Sequence, residues 1–536
     1  FLFRIAKVRV FCKITKFYSC FFSISLIFID FYCLSRFFLL FLHHNFILNI
    51  YIYTINYMKQ TKIVASVSDR RCSVEFIRSL YEAGVNVIRM NTAHATPDGL
   101  REIIRNTRAV SADLGILIDT KGPEVRSTKV DAPIDYVTGE HLTIVGRPDE
   151  PTTHDRICVS YPSIAEDVKC GDDILFDDGA LDMRVVSIDG DNINVEVMND
   201  GRLGANKSVN VPGEHIDLPA LTDKDRRNIL LAIEEDIDFI AHSFVRSAAD
   251  VKAVQDILDE HGSHIKIISK IENQEGVDNI DDIIESSYGI MIARGDLGIE
   301  VPLEQIPSIQ RQITRKCIRA KKPVIVATQM LHTMIENPRP TRAEVSDIAT
   351  AIYTRTDAVM LSGETASGKY PLEAVSTMAS IAKRVEHDIH NSPVGKVNMQ
   401  EMIDTADYLS NCAIDAIEKL GVRAIVTDCK TGGTARKLSS YRGSIPVIAV
   451  CYDAHVHREL SLSYGISAVS VPEDYNPKLQ FVEAIKSLLV VGELQMDDRV
   501  VYLSGSFAEG GYSSILQIMR VKDILSGNSF TPPKSL

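Results

Sequence analysis

Eight short apolar runs recur along this chain, each opening like a strand buried on both faces and each turning polar at its end. They are "TKIVASV" (61–67), "VNVIRMN" (85–91), "GILIDTKG" (115–122), "FIAHSFV" (239–245), "IKIISKIE" (265–272), "GIMIARGDL" (289–297), "PVIVATQM" (323–330) and "DAVMLSGE" (357–364). Continuously apolar strands belong to parallel sheets covered on both sides. Amphipathic segments separate them. In "SVEFIRSLYEAG", Ser73 is placed to cap a helix, Val74, Ile77, Leu80 and Tyr81 form its apolar stripe, and Gly84 stops it. In "LTDKDRRNILLAI", Thr222 can cap, with Asp223 and Asp225 near the positive helix end. Eight strand–helix units predict a closed parallel (β/α)8 barrel of the TIM type over residues 58–123 and 219–395. The polar strand ends are Arg89 and Asn91, Asp119, Ser243, Lys270 and Glu272, Arg294 and Asp296, Thr328, and Ser362. In such barrels this is the face that carries the active site. Strand ends lie near the surface in any protein, so part of this polarity is ordinary.

Between the third and fourth runs the pattern changes. Residues 124–218 alternate apolar and polar residues ("HLTIV", "DILFDDG", "LDMRVVSI", "NINVEVM") with turn signals "DGDN" and "NDG". This reads as a small inserted all-β domain, a lid over the barrel mouth. Within 396–536 strand–helix alternation resumes through "RAIVTD", "PVIAVCY", "ISAVSV" and "RVVYLSG", which predicts an open α/β domain.

The first 57 residues differ from the rest. They hold 12 of the 19 Phe, no Gly or Pro, and one acidic residue against six basic ones. A membrane span would be cut by Asp30 and Arg36, and a signal peptide would need a small-residue cleavage site that is not evident. The favoured reading is translated upstream sequence, with the native chain starting at Met58; a targeting segment or anchor is the alternative. That stretch carries +5, so a chain of net charge −13 leaves −18 on residues 58–536. An acidic body argues for a soluble protein that neither binds nucleic acid nor enters a membrane. Seven scattered Cys in it form no CxxC pair, which fits a reducing cytoplasm without disulfides or a zinc frame.

The stretch "ISKIENQEG" puts Lys270 and Glu272 on one face of an otherwise apolar strand. Burying two charges is costly unless they bind something. Glu272 and Asp296, on neighbouring barrel units, could share one cation, and an all-oxygen ligand set favours magnesium. The plainer reading is a pair of structural ion pairs, Lys270 with Glu272 and Arg294 with Asp296. Lys270 suits stabilisation of a transferring phosphoryl group, or equally a Schiff base. Arg89 and Arg126 are placed to grip phosphate. Asn91, Asp119 and Thr120 offer oxygens for a monovalent cation or simply a hydrogen-bonded strand end.

The segments "DTKGPEVR", "KIISKIENQEGV", "IARGDLGIEVP", "VATQML", "NPRPTRAEVSDIA" and "DAVMLSGETASGKYPLEAV" resemble, in family order, those of pyruvate kinases. The resemblance runs from about residue 59 to the end and is stronger in the barrel than in the last domain. It implies phosphoryl transfer from phosphoenolpyruvate to ADP, with Mg2+ and usually K+, in a cytoplasmic homotetramer. Matched motif by motif, Glu272 and Asp296 hold magnesium and Lys270 stabilises the moving phosphoryl group. Arg89 binds the phosphate, while the backbone at Gly295 and Thr328 receive the carboxylate end; Thr328 also lies on the proton route to the enolate carbon. Asn91, His94, Arg126 and Lys207 fall at nucleotide-phosphate positions, and Asn91, Asp119 and Thr120 at the potassium site. Thr431 and Thr434, in "KTGGTARKLS", sit where the family takes phosphorylated effectors.

Several residues depart from the family pattern. Ala93, in "MNTAHA", stands where a serine usually ligates potassium, whereas Glu124 matches the potassium-dependent form. "SVSDRRCS" replaces a glycine–proline turn after the first strand, and "SGSFAEGGYSS" lacks a frequent threonine–asparagine ending. Two other readings stand beside the kinase: a magnesium barrel acting on carbon–carbon bonds of an enolpyruvate, and a catalytically weak regulatory relative.

Overall fold

A computed structural model describes residues 59–526, apart from 94, 391–403, 471–480, 483, 484, 487, 490–493 and 506–512. The 57-residue opening stretch and His94 lie outside the described residues. The barrel strands are β1 (Lys62–Ser66), β2 (Val87–Asn91), β3 (Gly115–Asp119), β4 (Phe239–His242), β5 (Lys266–Ile271), β6 (Gly289–Ala293), β7 (Val324–Ala327) and β8 (Ala358–Leu361). They pair in sequence order and close, β1 against β8. Alternation sorts their side chains into two layers. Val64, Val87, Leu117, Ile268, Met291, Ile325 and Met360 fill the barrel interior. Ile63, Ala65, Ile88, Ile116, Ile290, Val326 and Val359 pack outward against the helices. Double-sided burial is why these strands read as unbroken apolar runs.

Helix ends follow local chemistry. Ser73 accepts from the Phe76 amide at the start of helix Val74–Ala83, and Gly84 ends it at φ +116°. Thr222 and Asp225 form a reciprocal capping box at helix Asp223–Glu234.

The insertion folds as a seven-stranded sheet plus a two-stranded ribbon, with one short helix, Ile164–Asp167. Its own core includes Ile144, Phe176, Met183 and Val195. It reaches the barrel mouth where Asn210 Nδ2 donates to Glu300 Oε1 (2.8 Å) and where Arg246 donates to the Ile216 and Leu218 carbonyls (3.0 and 2.8 Å).

The last part contains β9 (Val422–Cys429), β10 (Val447–Cys451), β11 (Ile466–Ser470), β12 (Arg499–Gly505) and β13 (Ser513–Arg520), in the order β11-β10-β9-β12-β13. Strands β9 to β12 are parallel; β13 runs antiparallel to β12. Strand β13 is not among the runs that the sequence pattern predicts. As an edge strand, it lacks the doubly apolar pattern of its neighbours. This unit covers the foot of the barrel, where Leu462 joins the interior cluster. At Gly115 a Cβ would fall 2.3 Å from Ser461 Oγ, so only glycine permits this approach.

Candidate active site

Parallel strands all deliver their C-terminal ends to the same rim, so register decides which polar residues meet. Arg89 leaves β2 and Asp119 ends β3; Arg89 Nε and Nη2 lie 2.7 and 2.5 Å from Asp119 Oδ2, and Nη1 donates to Ser66 Oγ at 2.8 Å. Lys270 Nζ lies 3.2 Å from Asp119 Oδ1 and 2.8 Å from Glu272 Oε1, and donates to Ser243 Oγ at 2.7 Å. Burial opposes the Lys270 ammonium, yet Asp119, Glu272 and Asp296 together raise its pKa above the ordinary lysine value against Arg89. Burial alone would raise Asp119; Arg89 and Lys270 outweigh it and hold the carboxyl below its ordinary value. Lys270 is therefore a charged lysine, which favours electrostatic work over Schiff-base chemistry.

The two acids differ from this locked group. Glu272 is fully buried; its Oε2 accepts the Phe244 amide at 2.7 Å. Its Oε1 faces the Lys270 ammonium at 2.8 Å but is out of line for a hydrogen bond, so one oxygen has charge contact and no directed donor. Burial, with Asp296 adding and Lys270 opposing, pushes its pKa up to about 7. Asp296 does not end a strand as the sequence reading had it; it lies in the first turn of helix Arg294–Glu300. Its carboxylate has no hydrogen-bond or ion-pair partner among the described residues. The expected Arg294–Asp296 pair is absent, because Arg294 Nη1 turns to Asp347 Oδ1 (2.7 Å). An unfilled carboxylate together with a buried acid that keeps one oxygen free of a directed donor is a set of hard oxygens that fits a divalent cation.

Thr328 takes φ +68°, unusual for a β-branched residue, and Gln329 takes φ +55°; each costs about 1–3 kcal/mol. Arg294 holds this turn by donating to the Ala327 and Thr328 carbonyls (3.3 and 2.8 Å). Thr328 Oγ1 accepts the Gly295 amide at 2.7 Å and donates to the Ala327 carbonyl at 2.6 Å. The strained turn thus places a hydroxyl against the amide that precedes Asp296.

Asn91 pairs in register with Asp119, and its Oδ1 accepts the Ala93 amide at 2.9 Å. Thr120 Oγ1 accepts the Ser243 amide at 3.0 Å, and its carbonyl accepts Ser243 Oγ at 2.7 Å. The Ala93 carbonyl receives Lys224 Nζ at 3.2 Å.

Between lid and barrel opens a cleft of ≈ 780 Å³, lined among others by Arg126, Asp177, Lys207, Phe244, Arg246 and Asp296. Asp296 and Phe244 connect it to the buried group. Arg126 Nη2 pairs with Glu124 (2.5 Å) and Lys207 Nζ with Asp177 (2.8 Å), all four side chains partly exposed. The structure thus gathers Arg89, Asp119, Lys270 and Glu272 into one network, and sets Arg126 and Lys207 along the cleft. Ser243 and Ser66 were not singled out as site residues. Ser243 was visible as a polar strand end, but its partners depend on strands that only the fold brings together.

A charged lysine and arginine among strand-end carboxylates, at the mouth of a (β/α)8 barrel beneath a β-lid, define a class: a barrel protein whose rim is built for an anion beside hard oxygens that suit a cation. Comparison with known proteins narrows it. Residues 58–375 match the family model of the pyruvate kinase barrel domain and residues 407–519 that of its alpha/beta domain. The chain is 45% identical over 477 residues to a pyruvate kinase of Borreliella burgdorferi, spanning 88% of this chain and 99% of that protein. It is 42% identical over 478 residues to one of Bacillus licheniformis, spanning 88% and 82%. A crystal structure of a pyruvate kinase from Cryptosporidium parvum superposes with a TM-score of 0.81 at 33% identity, covering 87% of this chain and 97% of the other. The chain belongs to the pyruvate kinase family and is a phosphotransferase.

Proposed function

We propose that this chain transfers the phosphoryl group of phosphoenolpyruvate to ADP, taking up a proton to give pyruvate and ATP. The observation that carries this reading is the charged Lys270, fixed by Asp119, Glu272 and Ser243 beside the unpartnered Asp296 carboxylate. Glu272 and Asp296 would hold Mg2+, which supplies Lewis-acid neutralisation of charge on the substrate oxygens when bound. Arg89, oriented by Asp119 and Ser66, binds the substrate phosphate with the remaining face of its fork. Lys270 offsets charge spreading over the phosphoryl oxygens as it leaves the enol oxygen. The Gly295 amide and Thr328 hydroxyl bind the carboxylate end. The Thr328 hydroxyl, which donates to the Ala327 carbonyl, must swing away to relay its proton to the enolate carbon through water.

Arg126 and Lys207 steer the ADP phosphates together with Asn91; His94, the fourth residue of that set by motif, lies outside the described residues. Their partly exposed partners Glu124 and Asp177 are ones a nucleotide can displace. The lid over the cleft excludes water, directing the phosphoryl group to ADP rather than to hydrolysis. Asn91, Asp119 and Thr120 would hold K+, an all-oxygen set suited to a hard cation. Ala93 brings only a carbonyl, already bonded by Lys224, so K+ activation with weakened affinity is expected.

Effector binding at Thr431 and Thr434 draws support from helix Gly433–Ser440, which begins between them behind Gly432 at φ +73°. Most of the last loop that would complete that site lies outside the described residues. Among the described residues no helix is long and apolar enough to cross a membrane and the seven cysteines are free, in keeping with a cytoplasmic enzyme. Sedimentation would test the homotetramer.

The deciding experiment is pyruvate formation from phosphoenolpyruvate with and without ADP, on the full chain and on a chain starting at Met58. Formation that requires ADP supports the reading. Pyruvate without ADP, or none in either arm, defeats it, the last outcome favouring a regulatory relative.

A further inference from the structure

At the foot of the barrel, opposite the mouth, three side chains from two parts of the chain meet with metal-ligand chemistry. Asp236 lies in the turn before β4 and His264 just before β5; His455 belongs to helix Ala454–Glu459, which follows β10. One ligating atom of each lies within 4.8 Å of the other two. His264 Nε2 is 3.3 Å from Asp236 Oδ1, and His455 Nδ1 is 3.8 Å from the same oxygen. A tetrahedral zinc ion with bonds of about 2.0–2.1 Å sets its ligand atoms about 3.4 Å apart. The two separations from the carboxylate oxygen are close to that value, and the third, within 4.8 Å, closes as the two imidazoles draw onto one ion.

A second observation is independent of the spacing. His264 Nε2 is buried and has no hydrogen-bond partner among the described residues, because the nearby Asp236 oxygen is out of line. Buried polar atoms without a partner are uncommon and call for an ion or water. The two rings also crowd together, centroids 3.3 Å apart with their planes tilted by 40°. Arg458 is the competing cation. Its Nη2 lies 2.8 Å from His455 Nδ1 and 3.3 Å from Asp236 Oδ2, while its Nε is held by Asp238 Oδ1 at 2.5 Å. An incoming ion exchanges the Nη2 contacts and leaves the Asp238 bond in place.

We propose that Asp236, His264 and His455 form a site for a zinc-class transition-metal ion that ties the C-terminal α/β unit to the barrel. Two imidazoles and one carboxylate suit Zn2+, Co2+ or Ni2+; Mg2+, which prefers oxygens, is selected against. Three protein ligands leave a fourth position for water, and the half-exposed Asp236 gives an entry path. The ion bridges two folding units, so its binding stabilises their junction.

The test uses the full chain, stripped with chelator and kept in excess Mg2+ so that the barrel mouth is occupied. Co2+ is titrated and followed by its visible d–d absorption, then displaced with Zn2+; melting is followed in parallel. One Zn2+-displaceable Co2+ per chain is expected, with a higher Tm in Zn2+. His264→Gln and His455→Gln should each weaken Co2+ binding by at least about tenfold and remove the Zn2+-dependent rise in Tm. Pyruvate formation in Mg2+ alone should be unchanged in both, since neither touches the mouth. Circular dichroism confirms that each variant folds, and the two lie on different units, so one folding defect leaves the other informative. No displaceable Co2+ in the wild type, or equal affinity in both variants, overturns the proposal.

Discussion

The two ends of the barrel bury the same kinds of charge and use them differently. At the foot, Arg442 forks onto Asp357, Nη1 to Oδ1 at 2.9 Å and Nη2 to Oδ2 at 2.6 Å. The same carboxylate accepts the Tyr464 and Val324 amides, so every oxygen is spoken for. At the mouth, Arg89 and Lys270 share Asp119 just as closely, but among the described residues Glu272 keeps an oxygen without a directed donor and Asp296 has no partner. A buried ion pair that is fully satisfied holds structure together; one left short of cations is arranged for something yet to arrive.

Four substitutions would break or sharpen that contrast. Lys270→Met at the mouth should lower kcat for pyruvate formation by about 10³-fold, with Mg2+ binding largely kept; retained turnover removes its assigned role. Arg442→Met at the foot should do the reverse, costing about 3 kcal/mol of stability by stranding Asp357. Its signature is a lower urea midpoint with near-normal kcat in the folded fraction; a large kcat loss at unchanged midpoint would erase the distinction. Lys207→Ala, on the partly exposed cleft wall, should raise KM for ADP several-fold and leave KM for phosphoenolpyruvate alone. Its stability change should stay within about 0.5 kcal/mol, as for exposed pairs. Equal shifts in both KM values would place Lys207 elsewhere in the reaction. Smallest, Ala93→Ser should lower the K+ concentration for half activation a few-fold by restoring one oxygen. Equal rates in K+, Na+ and a large organic cation would dismiss the potassium proposal itself.

Much of the mouth was legible because a barrel converts sequence position into spatial position. Once eight parallel strands are inferred, Arg89, Asp119, Lys270 and Thr328 must share a rim. Three things were not legible. Arg294 was free to pair with Asp296 on sequence distance, yet Asp347 from a distant helix takes it. Asp296 reads as a strand end, though the chain turns into a helix at Arg294. Strand β13 lacks the doubly buried pattern because it is an edge strand.

The order of apolar runs and their polar ends settled the barrel and the rim by themselves, since burial on both faces leaves a mark residue by residue. Which charge meets which was decided only in three dimensions. Electrostatic pairing depends on distances of a few ångströms between atoms far apart in the chain. Thus Lys270 is locked, Asp296 is left open, and His264 meets His455, none of which neighbouring residues could specify.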